Sequence, residues 1–368
     1  MTLWQAAVRR LAALTLALSL VLGLAACDES LELYLTLPQS AAPAVSTDVL
    51  TDTLEVHFLD VGQALSVLVR CGDGTMLYDG GNAADGSYLV SYLYDAGVKS
   101  IDYVFCSHAH EDHVGGLAAA LAAFPAAHAY SPVASSSNTY FQDYVKYASQ
   151  QNLDIEVPTP GTSWPLGGAT VTMLGPLRTY EDNVNNSSIV LRIDYGTTSF
   201  LLTGDMEMEA ERDLVDSGAN LKADVLQVGH HGSSTSSSYV FMKAVLPEMA
   251  VISCGVNNDY GHPHRETLSI LRDAGVDVYR TDLQGAIVIT SDGANYTVRS
   301  EKQADDTTLN PTVSSSAASQ QAYIGNLNSK KFHLPTCNSL PAEHNQILFS
   351  SYDEAIAAGY SPCQSCIH

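Results

Sequence analysis

Basic residues are scarce in this chain. Lys and Arg together number 17 of 368 residues, against 40 Asp and Glu, and the formal net charge at pH 7 is −23. A protein that binds nucleic acid through a broad basic surface is therefore not expected. A phosphate-containing substrate is still compatible with this charge, because bound divalent cations can supply local positive charge.

The apolar run near the start of the chain is too short for a membrane-spanning helix. It covers residues 11–24, whereas a span needs about 20 apolar residues. The run follows two arginines and ends in Leu-Ala-Ala-Cys at Cys27, which resembles the lipobox of bacterial lipoproteins. The resemblance implies a signal peptide over 1–27, lipidation of Cys27, a tether over 28–52 and an extracytoplasmic protein anchored to the cell membrane. The alternative is an ordinary cleaved signal peptide with an incidental cysteine.

Strand and helix signals alternate from residue 53 to residue 300. This pattern predicts one α/β domain with two sheets inside and helices outside. Residues 301–320 are of low complexity and read as a flexible linker. Residues 321–368 then form a small C-terminal module. The single cysteines Cys71, Cys106 and Cys254 lie in apolar runs and are expected to be buried thiols.

Four potential metal ligands follow the predicted strand that ends at Cys106. They are His108, His110, Asp112 and His113, in the sequence H-A-H-E-D-H. Imidazole and carboxylate are suitable ligands for Zn²⁺ or Mn²⁺. A loop can direct the first two side chains at one ion and the last two at a second.

Two later strands also end in potential ligands. Asp205 follows the predicted strand over 199–203, where a carboxylate can bridge two ions. His230 and His231 follow the predicted strand over 225–228 and offer a further imidazole. Asp205 considered alone is also a common helix N-cap residue.

In combination these motifs resemble the metallo-β-lactamase superfamily. H-A-H-E-D-H, L-L-T-G-D and G-H-H-G-S occur in the order found in that family. F-L-D-V-G-Q at 58–63, N-N-S-S-I-V-L at 185–191 and Y-G-H-P-H at 260–264 resemble the hydrolase domain of competence DNA-uptake channel proteins. Pneumococcal-type phosphorylcholine esterases are similar too. The resemblance covers residues 53–300 and implies an αββα sandwich.

The resemblance implies a two-metal site, with zinc and manganese both open as its ions. His108 and His110 would hold the first ion. Asp112, His113 and His230 would hold the second, and Asp205 would bridge. A further histidine of the family has no counterpart here: the ligand is either missing or replaced by an amide oxygen, from Asn185 or alternatively from Asn186.

Several residues near the site are expected to act on substrate or on ligands. His230 is preferred as the ligand because it is nearer to the strand end, which leaves His231 to contact substrate. Asp112 counts as both ligand and catalytic residue. Asp60 is expected to orient a ligand, and His262 to hydrogen-bond a phosphoryl oxygen or protonate the leaving group. Asp60 is otherwise a turn residue, and His262 a turn histidine packed beside proline.

One departure from the competence-type motif concerns substrate. The family motif continues D-V-G-Q-G-D, whereas Leu65 stands here in place of the acidic residue. Substrate preference is therefore expected to differ even if the metal ions are retained.

The C-terminal module contains a second ligand set, consisting of His333, Cys337, Cys363 and Cys366. Their spacing predicts one structural zinc ion, and so small a segment needs such a staple. A disulfide between Cys337 and Cys363 is the alternative. The module resembles the zinc-binding module of Ada-type methylation-repair regulators. Because His333 stands where that family has its methyl-accepting cysteine, methyl transfer is not implied. A structural role, or docking onto nucleic acid or cell wall, is expected.

These observations favour a binuclear metal-dependent hydrolase of phosphodiesters, with DNA or RNA as substrate. One alternative is a phosphorylcholine or teichoic-acid esterase of the cell envelope, which the acidic composition suits. Another is a non-enzymatic, lipid-tethered binding protein with a degenerate site. No protein partner can be inferred from the sequence.

Overall fold

The computed structural model describes residues 52–310, 323–335, 337, 339–349, 355–356, 358–363 and 366–367. The predicted signal peptide with Cys27, almost all of the tether and the second half of the linker lie outside the described residues. Among the described helices, none is both long and apolar enough to cross a membrane.

Strands and helices alternate along the chain, as the sequence pattern predicts. The strands are β1 (Leu54–Phe58), β2 (Val67–Cys71), β3 (Gly74–Tyr78), β4 (Ile101–Phe105), β5 (Ala126–Tyr130), β6 (Ile155–Glu156), β7 (Ser163–Leu166), β8 (Ala169–Gly175), β9 (Val190–Tyr195), β10 (Thr198–Leu202), β11 (Val225–Gln227), β12 (Met249–Ile252), β13 (Asp277–Arg280), β14 (Ile287–Ser291), β15 (Tyr296–Ser300), β16 (Tyr323–Asn326), β17 (Lys331–His333), β18 (Gln346–Phe349) and β19 (Ser361–Pro362). The α-helices are α1 (Gly86–Asp95), α2 (Glu111–Val114), α3 (Leu117–Ala123), α4 (Thr139–Gln150), α5 (Met208–Ser217), α6 (Tyr239–Val245), α7 (Arg265–Asp273), α8 (Thr281–Gln284) and α9 (Asp306–Leu309). Short 3₁₀ turns cover Ala83–Asp85, Asn185–Ser187, Gly229–Gly232 and Glu343–Asn345.

Two mixed sheets form the centre of the large domain. The first has the strand order β15-β14-β1-β2-β3-β4-β5-β6, and the second has the order β13-β12-β11-β10-β9-β8-β7. The strands β3 to β6 are parallel to one another, as are β10 to β13. Loops that leave the carboxyl ends of parallel strands lie at one edge of their sheet, which is where the predicted ligands are found.

The two sheets pack face to face, with helices on their outer faces. Strand β1 illustrates the alternation, because Leu54, Val56 and Phe58 lie in the core between the sheets. A second core joins the first sheet to α1, α3 and α4. A third joins the second sheet to α5, α6 and α7. These four layers are the predicted αββα sandwich.

The packed domain extends beyond the predicted boundary at residue 300. Glu301 and Lys302 donate backbone hydrogen bonds to Ala286 and Gln284. Leu309 is buried, and its carbonyl accepts a hydrogen bond from Arg280. The sequence prediction of a flexible linker therefore does not hold for 301–310, where polar composition conceals a segment anchored to the domain.

The described part of the module contains a four-stranded sheet of order β18-β16-β17-β19. Phe332, Phe349, Ala355 and Tyr360 form its small apolar core. A core of this size supplies little stability by itself, which agrees with the expected need for a metal ion.

Candidate metal centre

The H-A-H-E-D-H segment leaves the end of β4 and enters the short helix α2. His108 and His113 are fully buried, whereas His110 is exposed and Asp112 is partly exposed. The loop is pinned at its start, because the Ser107 backbone N–H donates to Asp79 Oδ1 at 2.6 Å. A short buried loop can therefore present four potential ligands in fixed directions.

Four side chains from three loops converge at one point. Ligand atoms of Asp112, His113, Asp205 and His231 all lie within 4.8 Å of one another. His113 Nε2 is 3.2 Å from Asp205 Oδ1, and His231 Nε2 is 3.2 Å from Asp112 Oδ2 and 3.5 Å from Asp205 Oδ2. The set comprises two imidazoles and two carboxylates, which suits a divalent cation.

Three of these converging atoms are buried and make no well-aligned hydrogen bond, although they lie close to one another. They are His113 Nε2, His231 Nε2 and Asp205 Oδ1. A buried polar atom without a partner is costly, and the cost is removed when the atom binds an ion. The residues of this cluster therefore fit a metal ion.

His108 and His110 form the adjoining half of the site. His108 Nε2 lies 3.0 Å from His110 Nδ1 and 4.0 Å from Asp205 Oδ2. Asp205 thus lies between the two groups of histidines, in the position required of a bridging carboxylate. The described structure brings together all five of the predicted ligands from the first motif and from the loop after β10.

The structure reverses the predicted assignment of the histidine pair. His231 lies in the metal cluster, whereas His230 lies to its side with its Nε2 3.7 Å from Asp205 Oδ2. Both residues have left-handed backbone angles, φ 51° for His230 and φ 55° for His231. In this strained turn the side-chain directions do not follow the order of the residues along the chain. The geometry therefore favours His231 as ligand and leaves His230 to contact substrate.

Each histidine of the cluster is fixed through its second ring nitrogen. His113 Nδ1 is 2.8 Å from Asp79 Oδ2, and His231 Nδ1 is 2.9 Å from the Ser253 carbonyl oxygen. Such contacts fix the tautomer and leave Nε2 for the ion. Asp79 was not among the predicted site residues. The available signal was its position directly after β3, the same strand-end position that marks the other ligands.

Gln227 is a second residue that the sequence analysis missed. It is buried, and its Oε1 accepts hydrogen bonds from the backbone N–H groups of Thr203 and Gly204. Its Nε2 donates to the carbonyls of Gly204 and Val228. One side chain thus ties the loop that carries Asp205 to the loop that carries the histidine pair.

A carboxylate, Glu207, organises the side of the site from which the family histidine is missing. It accepts hydrogen bonds from Asn183 Nδ2 at 2.7 Å and Asn185 Nδ2 at 3.2 Å, and it lies 3.2 Å from His230 Nδ1. Asn185 Oδ1 is buried without a hydrogen-bond partner. Asn185 therefore offers a buried amide oxygen without a hydrogen bond, whereas the Asn186 oxygen accepts from the Glu207 backbone N–H.

Charge and burial shift the pKa values in opposite directions across the site. Burial lowers the pKa of His113, but the carboxylates of Asp205, Asp112 and Asp79 outweigh it and raise that pKa well above its usual value. Burial raises the pKa of Asp205, but His113 and His231 outweigh it and the net shift is strongly downward. Asp205 therefore stays ionised, as metal ligation requires, whereas an ion that binds His113 must displace the proton held on its Nε2.

Two further predictions concerned Asp60 and Leu65. The pKa of Asp60 is raised, mainly by burial, and its charged neighbours are Lys302, Glu301 and Asp282 rather than the metal cluster. The carboxylate that orients a ligand is Asp79 instead. Leu65 is fully buried, and its N–H donates to the Asp112 carbonyl at 3.0 Å. Leu65 thus supports the ligand loop through its backbone.

His262 lies beside the histidine pair, as a substrate-binding role requires. Its ring centroid is 5.6 Å from that of His230 and 6.4 Å from that of His231. Burial and the neighbouring His264 and His231 lower the pKa of His262 to about 4. The expected role as a hydrogen-bond donor agrees with a neutral ring, whereas the expected role as an acid does not.

The module also brings its predicted ligands together. Ligand atoms of His333, Cys337, Cys363 and Cys366 all lie within 4.8 Å of one another, and His333 Nδ1 is 3.4 Å from Cys337 Sγ. Four converging soft ligands favour a tetrahedral zinc ion over the disulfide alternative. In the large domain, Cys71, Cys106 and Cys254 are buried thiols, as predicted.

Two protein-family models match the chain, one in the large domain and one in the C-terminal module. Residues 59–256 match the metallo-beta-lactamase superfamily, and residues 312–367 match the metal binding domain of Ada. A solved structure, the metallo-beta-lactamase fold protein YhfI from Bacillus subtilis, covers 65% of this chain and all of its own, with 16% identity and a TM-score of 0.45.

Two curated relatives match the large domain. ComE operon protein 3 from Bacillus subtilis is 32% identical over 251 residues, which cover 63% of this chain and 32% of the relative. Competence protein ComA from Neisseria gonorrhoeae is 36% identical over 230 residues, which cover 62% of this chain and 31% of the relative. The matched part thus spans about a third of the length of each of these relatives.

Proposed function

The chain belongs to the metallo-β-lactamase superfamily, and from that premise we propose that it is a binuclear metal-dependent hydrolase that cleaves phosphodiesters. The observation that carries this proposal is the convergence of the buried, unpartnered Nε2 atoms of His113 and His231 on the carboxylate of Asp205. Buried polar atoms without well-aligned hydrogen bonds are costly, so this arrangement supports a site that retains its metal ions.

The residues of the chain divide the task of holding two ions. Asp112, His113 and His231 would hold one ion, His108 and His110 the other, and Asp205 would bridge. Divalent ions of zinc or manganese would supply a water of lowered pKa and stabilise charge on the phosphoryl group. Asp79 and Ser253 keep the imidazoles of His113 and His231 in the tautomer that presents Nε2.

His230 is the residue best placed to serve the leaving group. Its side chain is partly exposed, and its Nδ1 is 3.2 Å from Glu207 Oε1. The carboxylate orients the ring and stabilises its protonated form. His230 would therefore deliver a proton from Nε2 to the departing oxygen, while His262 donates a hydrogen bond to a non-bridging oxygen.

Nucleic acid is the proposed substrate. The relatives bear names that refer to competence, and one further relative is named recombination protein 2, from Haemophilus influenzae. These names support DNA or RNA as the diester. The net charge of −23 favours a second candidate, a phosphorylcholine or teichoic-acid ester of the cell envelope. We further propose that the enzyme works outside the cell membrane, to which Cys27 anchors it.

The test uses the purified full-length protein with Mn²⁺ or Zn²⁺. We expect hydrolysis of plasmid DNA and of bis-p-nitrophenyl phosphate, abolished by chelation and by Asp112→Ala. Preferential turnover of p-nitrophenyl phosphorylcholine would favour the envelope ester instead. No turnover with either metal would favour a binding protein with a degenerate site and would contradict the proposed hydrolase.

A further inference from the structure

Gln63 and His262 are in contact although they lie 199 positions apart in the sequence. Neither residue is a proposed metal ligand or orients one. Gln63 Nε2 lies 3.1 Å from His262 Nδ1. We propose that Gln63 is a positioning residue that holds His262 in the tautomer with its proton on Nε2. The proposal rests on the proposed function, because it assigns the resulting N–H group to binding a non-bridging phosphoryl oxygen of the substrate.

The direction of this hydrogen bond follows from the other end of the Gln63 amide. The Gly255 backbone N–H donates to Gln63 Oε1 at 3.0 Å. A backbone N–H can only donate, so the atom that faces it must be the amide oxygen. The atom that faces the imidazole is consequently the amide nitrogen, which also can only donate. His262 Nδ1 must therefore accept, and a neutral ring then carries its proton on Nε2.

The surrounding loop holds both partners in place. A Cβ atom on Gly255 would lie 2.7 Å from the Gln63 backbone nitrogen, so the close approach of the two segments requires glycine at this position. Asn258 accepts a hydrogen bond from the His262 backbone N–H at 2.9 Å and donates to the Gly255 carbonyl at 2.9 Å. The imidazole and its partner thus belong to one hydrogen-bonded unit.

The ring is also held from its sides, next to the site. His264 packs edge-on against it at a centroid distance of 4.7 Å, and Tyr260 stacks on it at 5.6 Å with an interplanar angle of 25°. The rings of His230 and His231 also lie near it, at centroid distances of 5.6 Å and 6.4 Å. A ring fixed in this way offers the substrate a neutral N–H donor of known direction, which favours an anionic oxygen acceptor over a basic leaving group.

The variant Gln63→Glu tests the proposal with almost no change of shape. One carboxylate oxygen can still accept from the Gly255 backbone N–H, but the other now faces His262 Nδ1 and accepts a hydrogen bond from it, which keeps a proton on Nδ1. The neutral ring then lacks a proton on Nε2, and only the doubly protonated ring regains it. We expect kcat/KM for bis-p-nitrophenyl phosphate to fall about 100-fold at pH 8 and to recover as the pH is lowered, relative to wild type at each pH.

A spectroscopic readout separates this role from a merely structural one. In ¹⁵N-labelled full-length protein, the His262 ring signals, assigned through their loss in His262→Asn, should report the Nε2–H tautomer. In Gln63→Glu they should report the Nδ1–H tautomer or the doubly protonated ring. Wild-type signals typical of the Nδ1–H tautomer would overturn the proposal, as would Gln63→Glu activity equal to wild type across the pH range.

Two controls complete the design. Gln142→Glu adds the same charge on the exposed face of α4 and should leave both readouts unchanged. Adding Gln63→Glu to His262→Asn should cause no further loss of activity, because the two residues act through one contact; a further 100-fold loss would contradict the proposal. If wild type shows no diester hydrolysis with any metal while the Nε2–H tautomer is observed, the proposed function fails but the positioning of His262 by Gln63 stands.

Discussion

Asp79 Oδ2 lies 2.8 Å from His113 Nδ1, and neither side chain is exposed to solvent. The other oxygen of Asp79 accepts the Ser107 backbone N–H at the start of the ligand loop. One carboxylate therefore fixes both the path of the loop and the tautomer of a ligand that the loop carries. Asp79 is therefore expected to affect metal binding although it is not itself a proposed ligand.

Asp79→Asn should weaken metal binding without removing a ligand. The amide can keep its oxygen toward Ser107, but its nitrogen then faces His113 Nδ1 and favours the ring with its proton on Nε2, which cannot bind the ion. Loss of such a contact costs about 10- to 100-fold in metal affinity, measurable by titration of metal-free protein. Asp102→Asn is the control, because Asp102 also accepts a backbone N–H, from Thr75, at 2.8 Å in the same sheet. Equal affinities for Asp79→Asn and wild type would show that Asp79 does not orient His113.

The histidine pair provides a second test. His231→Ala should lose the ion held with Asp112 and His113, and elemental analysis should find one ion fewer in the large domain. His230→Ala should keep both ions and lower kcat about 100- to 10,000-fold, as expected for loss of a proton donor. The reverse pattern, in which His230→Ala loses an ion and His231→Ala does not, would restore the assignment made from the sequence.

The error over His230 and His231 shows where sequence reasoning ends. Strand-end positions identified His108, Asp112 and Asp205, because loops that leave the carboxyl ends of parallel strands lie at one edge of each of the two sheets. The choice between two adjacent histidines depends instead on left-handed backbone angles in the Gly229–Gly232 turn. A composition or spacing argument contains no information on those angles.

Long-range partners were missed for a different reason. Asp79 and Gln227 make contacts with loops that are distant in sequence, and each is a single polar residue without a motif of its own. The polar composition of 301–310 predicts a linker, although a few hydrogen bonds anchor this segment to the large domain. The layers of the sandwich were predictable because periodic apolar residues determine them.

Glu211 should make stability depend on pH. Glu211 lies on helix α5, and burial raises the pKa of its carboxyl group from 4.5 to about 7. Hydrogen bonds from the backbone N–H groups of Ser237 and Ser238, at the start of α6, lower this pKa but do not outweigh burial. Because its folded pKa exceeds the unfolded value, its contribution is complete below about pH 4.5 and is lost as the pH rises through 7. The free energy of unfolding of wild type relative to Glu211→Gln should therefore fall by about 3 kcal/mol from pH 4.5 to pH 8.

Urea unfolding of the metal-free protein at the two pH values measures this difference. The free energy of unfolding of Glu211→Gln is subtracted from that of wild type at each pH, and the two results are compared. Any cost of the substitution that does not depend on pH cancels in this comparison, so only the titration of Glu211 remains. Glu248→Gln, at an exposed carboxylate directly before β12, should show no such change. A difference independent of pH would show that folding does not raise the pKa of Glu211.

The module should hold its zinc independently of the large domain. Cys363→Ser removes one of four converging ligands, so elemental analysis should find two ions instead of three, with diester hydrolysis retained. Cys254→Ser replaces a buried thiol of the large domain and should leave the ion count unchanged. An unchanged count in Cys363→Ser would show that the module is not a zinc site.

Asn185 and Asn183 allow the missing family histidine to be examined directly. Both amides donate to Glu207, at 3.2 Å and 2.7 Å, but only Asn185 has a buried oxygen without a hydrogen-bond partner among the described residues. If that oxygen binds the first ion, Asn185→Ala should weaken the binding of one ion about tenfold or more, while Asn183→Ala, which removes the same kind of Glu207 contact, should not. Calorimetric titration of both variants separates the two effects. Equal weakening would mean that both amides act only through their hydrogen bonds to Glu207. The first ion would then have His108, His110 and Asp205 as its protein ligands.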